Sequence, residues 1–141
     1  MKLIEKNILD VTGPAVICHQ VNCLGVMGAG LALQIRREWE NVYNVYVDKD
    51  DWQVGDCQLV TIGDAQFVAN LAGQQNVGGG VQTDYNGLCQ AFRQARDFTR
   101  ANDIQLYIPH MMGCGLAGGD WDVVVHMLED IAPETIICKL P

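Results

Sequence analysis

Apolar positions fall into two rhythms along this chain, and the changes between them mark out the elements. KLIEKNIL (2–9) reads as a first strand, and PAVICHQVN (14–22) as a second, buried on both faces because its apolar run barely alternates. LALQIRREWENVYNVYVDK (31–49) has helical spacing, with Leu31, Ile35 and Trp39 at four-residue intervals. DCQLVTIG (56–63) and AQFVANLAG (65–73) predict a hairpin turning at Gly63 and Asp64. TDYNGLCQAFRQARDFTRAND (83–103) returns to helical spacing, with Thr83 or Asp84 as N-cap and Leu88, Phe92 and Ala95 on one face. IQLYIPHM (104–111) is a strand ended near Pro109. DWDVVVHMLEDIAP (120–133) is a helix capped by Asp120 and stopped by Pro133, and TIICKL (135–140) is a last buried strand. Strands alternating with helices predict an α/β protein: a three-layer α/β/α sandwich on a mixed, largely parallel sheet, forming one domain over residues 1–141.

Glycine collects where strands hand over to helices. Gly25 to Leu31 (GVMGAGL) follows the second strand, and Gly113 to Gly119 (GCGLAGG) follows IPHM. Neither loop holds lysine, arginine, serine or threonine, which excludes a P-loop, whose Lys and Ser/Thr reach phosphate and magnesium. What remains is a backbone cradle in which amide N–H groups and helix N-termini hold a diphosphate. Gly113, Gly115 and Gly118 also fit GxGxxG. The ribose-binding acid expected about 20 residues further on would fall near Cys138, so a nicotinamide- or flavin-dependent oxidoreductase is the weakest reading. QQNVGGGVQ (74–82) predicts a mobile loop with little order of its own.

Composition narrows the partners. With 141 residues, 49% hydrophobic and 18% charged, the chain has the size and make-up of one globular domain. A net charge of −8, with its five arginines confined to two predicted helices, argues against nucleic acid as a partner. No apolar run approaches the roughly 20 residues of a membrane span, and MKLIEKNILD lacks a signal-peptide layout, so a cytoplasmic location is expected. The six cysteines are dispersed in apolar stretches and read as buried thiols; no metal or cofactor is implied.

From HQVNCLGVMGAGLALQIRREW and IPHMMGCGLAGGDW, together with EKNIL near the start, the chain resembles the macrodomain family over nearly its whole length. Within that family it is most similar to small phage and bacterial members grouped with ADP-ribose 1''-phosphate-processing and ADP-ribosyl-glutamate-cleaving enzymes. The resemblance implies binding of ADP-ribose or a derivative, with ADP-ribosylated protein as a further partner. It implies a distal-ribose contact for Asn22, and adenine recognition at Asn7 and Ile8. The first diphosphate loop becomes Val26, Met27, Gly28, Ala29, Gly30 and Leu31, and the second Gly113, Cys114, Gly115, Leu116, Ala117 and Gly118. Relatives with Asp at the adenine position accept from its amino group; Asn7 offers a carbonyl oxygen without the charge.

Two departures bear on catalysis. Where ADP-ribosyl-glutamate-cleaving relatives carry a lysine and an Asp, this chain has Gln74 or Gln75 and Ala117, which removes a lysine Schiff-base route. Phosphatase-type relatives carry a histidine before the Asn, and His19 matches it, so His19 and Asn22 are the catalytic candidates, with Gln74 beside them. His19 could move a proton near neutral pH; the alternative is a hydrogen-bonded core histidine. His110 is a weaker candidate, and Tyr85 could cover a ribose or fix a loop. Hydrolysis of ADP-ribose 1''-phosphate or of an ADP-ribosyl link is one functional reading, and a catalytically silent reader or scavenger of ADP-ribose is the other.

Overall fold

The computed structural model describes every residue from Met1 to Pro141. Six strands, β1 (Lys2–Glu5), β2 (Ala15–Val21), β3 (Cys57–Gly63), β4 (Gln66–Ala72), β5 (Gln105–Pro109) and β6 (Ile136–Lys139), form one sheet in the order β1-β6-β5-β2-β4-β3. Every pairing is parallel except β3 with β4, so the sheet is mixed and largely parallel, as the alternation of elements predicts. Helices α1 (Gly30–Glu38), α2 (Glu40–Asp48), α3 (Tyr85–Asn102) and α4 (Trp121–Ile131) complete the three layers. None is long and apolar enough to cross a membrane.

Strand alternation sorts β2 between two cores. Val16 and Cys18 pack with Phe92, Leu88, Val124 and Leu128 of α3 and α4, while Ile17 and Val21 pack on the other face with Ile35, Val42 and Tyr46 of α1 and α2. Because both faces are covered, the strand reads as a continuous apolar run. All six cysteines are free; Cys18, Cys89 and Cys138 are buried and the other three half-buried.

Three boundaries differ from the sequence expectation. The first strand stops at Glu5, because the Asn7 side chain accepts from Leu9 N–H at 3.0 Å and turns Ile8–Asp10 into a single 3-10 turn. The helix expected over 31–49 is two helices. Trp39 leaves the helical region (φ −132°, ψ 86°), its N–H closing α1 on Ile35 O while its carbonyl accepts from Val42 N–H in α2. The Arg36 guanidinium lies 3.7 Å over the Tyr43 ring across the break. In the β3–β4 hairpin the positive φ (52°) falls on Ala65, one residue beyond the predicted Gly63-Asp64 corner. Asp84 and Asp120 cap α3 and α4, accepting from Gly87 N–H and Asp122 N–H.

Candidate functional site

β2 and β5 are neighbours at the middle of the sheet, yet they leave it in opposite directions. β2 leads to α1 on one face, and β5 to α4 on the other. A crevice therefore opens at their carboxyl ends, the place where parallel sheets bind ligands. A cleft of about 750 Å³ occupies it. A second cavity of about 390 Å³ adjoins it, sharing Leu31, Pro109 and His110.

The two glycine loops form the walls. In the first, Asn22 acts as the staple: its Oδ1 accepts from Leu24 N–H (3.0 Å) and Val26 N–H (3.2 Å), and its Nδ2 donates to Val26 O (2.8 Å). Tyr46 Oη lies 2.7 Å from Asn22 O and 2.8 Å from its Oδ1, and burial pushes this phenol up to about 12. Beyond the staple the chain is unpaired. The N–H groups of Gly28, Ala29, Gly30, Leu31 and Ala32 donate to no protein acceptor, and Ala29, at the N-cap of α1, provides no side-chain bond. The second loop folds on itself through Cys114 N–H to Met111 O and Gly118 N–H to Gly115 O, leaving Gly115, Leu116 and Ala117 N–H free. Leu116, 74% exposed, reaches across the cleft: a Cβ on Gly30 would stand 3.6 Å from its Cδ1.

The segment 74–82 is fastened at both ends. Cys23 N–H donates to Gln75 O at 3.1 Å, and Gln82 N–H to Ala117 O at 2.8 Å, so it bridges both loops. Gln20 organises the junction underneath. Its Nε2 donates to Gln74 Oε1 and Thr83 Oγ1, both at 2.9 Å, and Thr83 Oγ1 donates to Gly113 O at 2.6 Å. Glycine is required at Gly113, where φ is +75° and a Cβ would also stand 2.7 Å from Gln20 Oε1; a Cβ on Gly73 would displace the same side-chain oxygen.

Of the residues singled out in the sequence, His19, Asn22, Val26 and Gln74 line the cleft. So do Gly28, Ala29, Gly30 and Leu31 from the first loop, and Gly113, Gly115, Leu116 and Ala117 from the second. Met27 is instead buried in the core with Ile35, Cys114 directs its Sγ to Met112 O at 3.4 Å, and Gly118 packs on the backbone of Gly80. Asn7 and Ile8 line the second cavity. Tyr85 lies at the edge of the site, its Oη accepting from Asp120 N–H at 2.9 Å and so fixing the end of the second loop.

His19 is 2% exposed. Asn70 donates through Nδ2 to Gln58 Oε1 at 3.0 Å, which turns its Oδ1 toward His19 Nε2 and makes that nitrogen the donor. Nδ1 then has no partner. Burial lowers the imidazole to about 4, so the free protein holds it neutral at pH 7. His110 is lowered as well, by burial and by the Lys139 charge. These two are the titratable side chains of the cleft, whose lining holds no Asp, Glu, Lys or Arg. Gln20 escaped the sequence reading, which took Thr83 only as an N-cap candidate; the one available signal for Gln20 was a polar residue directly after His19 inside an apolar strand.

No protein-family model and no curated protein matches the chain. Solved structures do match it. A protein from Bacteroides thetaiotaomicron superposes with a TM-score of 0.89 at 23% identity, over 99% of both chains. A macrodomain protein from Streptomyces coelicolor superposes with a TM-score of 0.81 at 23% identity, over 98% of this chain and 97% of its own. The chain has the macrodomain fold. A further match is Thermosipho africanus DarTG in complex with ADP-ribose, with a TM-score of 0.81 and 20% identity over 99% of this chain and 41% of that one. At these identities the likeness is one of fold, and the macrodomain cleft of this chain has to be read from its own residues.

Proposed function

We propose that the cleft binds ADP-ribose or an ADP-ribosyl compound, with the diphosphate between the two glycine loops. The observation that carries this is the set of unpaired N–H groups, Gly28 to Ala32 facing Gly115 to Ala117. A diphosphate satisfies such donors without lysine or arginine, and the N-terminus of α1 adds its dipole. The complex of a protein of the same fold with ADP-ribose supports the choice of ligand. Asn22, with one amide hydrogen uncommitted, is assigned to the distal ribose.

For chemistry, we infer hydrolysis of ADP-ribose 1''-phosphate or of an ADP-ribosyl link to protein, with His19 and His110 as the groups able to move a proton. A bound phosphate beside His19 would raise its pKa from the low value of the free site. One observation favours the second reading, a binder without turnover: both histidines are held below their ordinary range, and no carboxylate or amine lines the cleft. Product analysis with both substrate types decides between them. Turnover that falls about a hundredfold in His19→Ala, while Asp120→Asn keeps most of it, is the expected result for a hydrolase. Bound ligand recovered unchanged identifies the silent binder.

A further inference from the structure

The second cavity carries chemistry that the glycine loops leave unused. It lies where the ends of β1, β5 and β6 meet. Lys6 N–H donates to Lys139 O at 2.8 Å and His110 N–H to Cys138 O at 2.9 Å, so backbone pairing brings Lys6, Lys139 and His110 to one place. All three line the cavity, and no Asp or Glu does, although the chain holds 17 acidic residues. The ion pairs of the protein engage the amino terminus, Lys49, Arg96 and Arg100; Lys6 and Lys139 have no carboxylate partner. In a chain of net charge −8, two unpaired ammonium groups at a cavity of about 390 Å³ form a local positive field.

Asn7 points the same way chemically. Its Oδ1 is engaged by Leu9 N–H at 3.0 Å, and that donor fixes the orientation of the amide, leaving the NH₂ as the unpaired half. The polar side chains at this end are Asn7, Gln34, the His110 ring and the two lysines; the amides and the ring can donate and accept, so the two ammonium groups set the balance toward donors. A base amino group, itself a donor, gains nothing from the two ammonium groups there, whereas a ring carbonyl or a phosphate meets complementary charge.

We propose that the second cavity selects an electron-rich, hydrogen-bond-accepting group at the nucleoside end of the ligand, a purine 6-carbonyl or a ribose phosphate, over the amino group of adenine. The proposal rests on the reading that the adjoining cleft holds a nucleoside diphosphate ribose. Lys6 and Lys139 supply the charge and Asn7 the directional donor.

The test is calorimetric titration of the full chain with three probes: ADP-ribose, its inosine counterpart, and ADP-ribose phosphorylated on the 2′-hydroxyl of the adenosine ribose. At least one of the latter two should bind about fivefold or more tightly than ADP-ribose. A phosphate advantage should shrink to about twofold or less in Lys6→Gln/Lys139→Gln, identifying the lysines as its source. A carbonyl advantage should disappear in Asn7→Asp, which still caps the turn but replaces the donor with an acceptor. ADP-ribose binding as tightly as both other probes overturns the proposal, and so does an advantage that survives both variants. If the folded protein binds none of the three, the reading of the cleft itself falls and takes this proposal with it.

Discussion

At the scale of single residues, Asn22 and His19 govern the site through what they already hold. Asn22 anchors the first glycine loop by three side-chain bonds and a contact to Tyr46, so Asn22→Ala should cost about 2 kcal/mol or more in urea unfolding and should weaken ligand binding at the same time. A variant that keeps stability and loses only binding would reduce Asn22 to a ligand contact. His19 gives a pH signature. Its folded value near 4 lies below the unfolded 6.5, so the stability it contributes is present above pH 6.5 and is lost as pH falls toward 4, by about 3 kcal/mol in total. An NMR titration should show the His19 ring neutral down to about pH 4, and a midpoint near 6.5 would contradict the buried geometry. The sequence made Asn22 and His19 conspicuous by position. That Asn22 staples a loop, and that His19 is paired with Asn70, depends on partners 4 and 51 residues away, which no local pattern encodes.

At the scale of elements, the decisive feature is a contrast between helix starts. α3 and α4 are closed by Asp84 and Asp120, while α1 begins at uncapped Ala29 and leaves its donors to the cleft. Gly28 and Gly115 have no positive φ, and a Cβ on either meets nothing closer than 4.0 Å, so Gly28→Glu and Gly115→Glu should fold normally and abolish binding by placing an anion in the diphosphate path. Gly118→Ala should act in the opposite way. At φ +70°, with its Cβ 2.6 Å from Gly80 O, it should lower stability by about 2 kcal/mol and release the 74–82 segment, measurable as faster amide exchange there. The strands, the glycine loops and both Asp caps were legible because apolar period and turn chemistry announce them. The break at Trp39 was not. Ile35, Val42 and Tyr46 keep a continuous apolar phase through it, with no glycine or proline to mark the corner.

At the scale of the whole molecule, the proposed binding follows from two adjacent parallel strands whose helices depart to opposite faces, opening a crevice that a 15.5 kDa acidic protein lines without a single carboxylate. The three-layer order could be inferred from alternating elements. The placing of the second cavity beside the cleft could not, because it depends on β1 and β6 lying beyond β5, an order that only the folded sheet reveals. Two adjoining cavities should reward a ligand long enough to reach both. The most direct test is calorimetric titration with ADP-ribose and with AMP. ADP-ribose should bind in the micromolar range, about −8 kcal/mol, and AMP at least about tenfold more weakly, because it lacks the second phosphate and the distal ribose that the two loops and Asn22 are arranged to hold. Equal affinities for the two, or no heat with either, would contradict a diphosphate held between the loops.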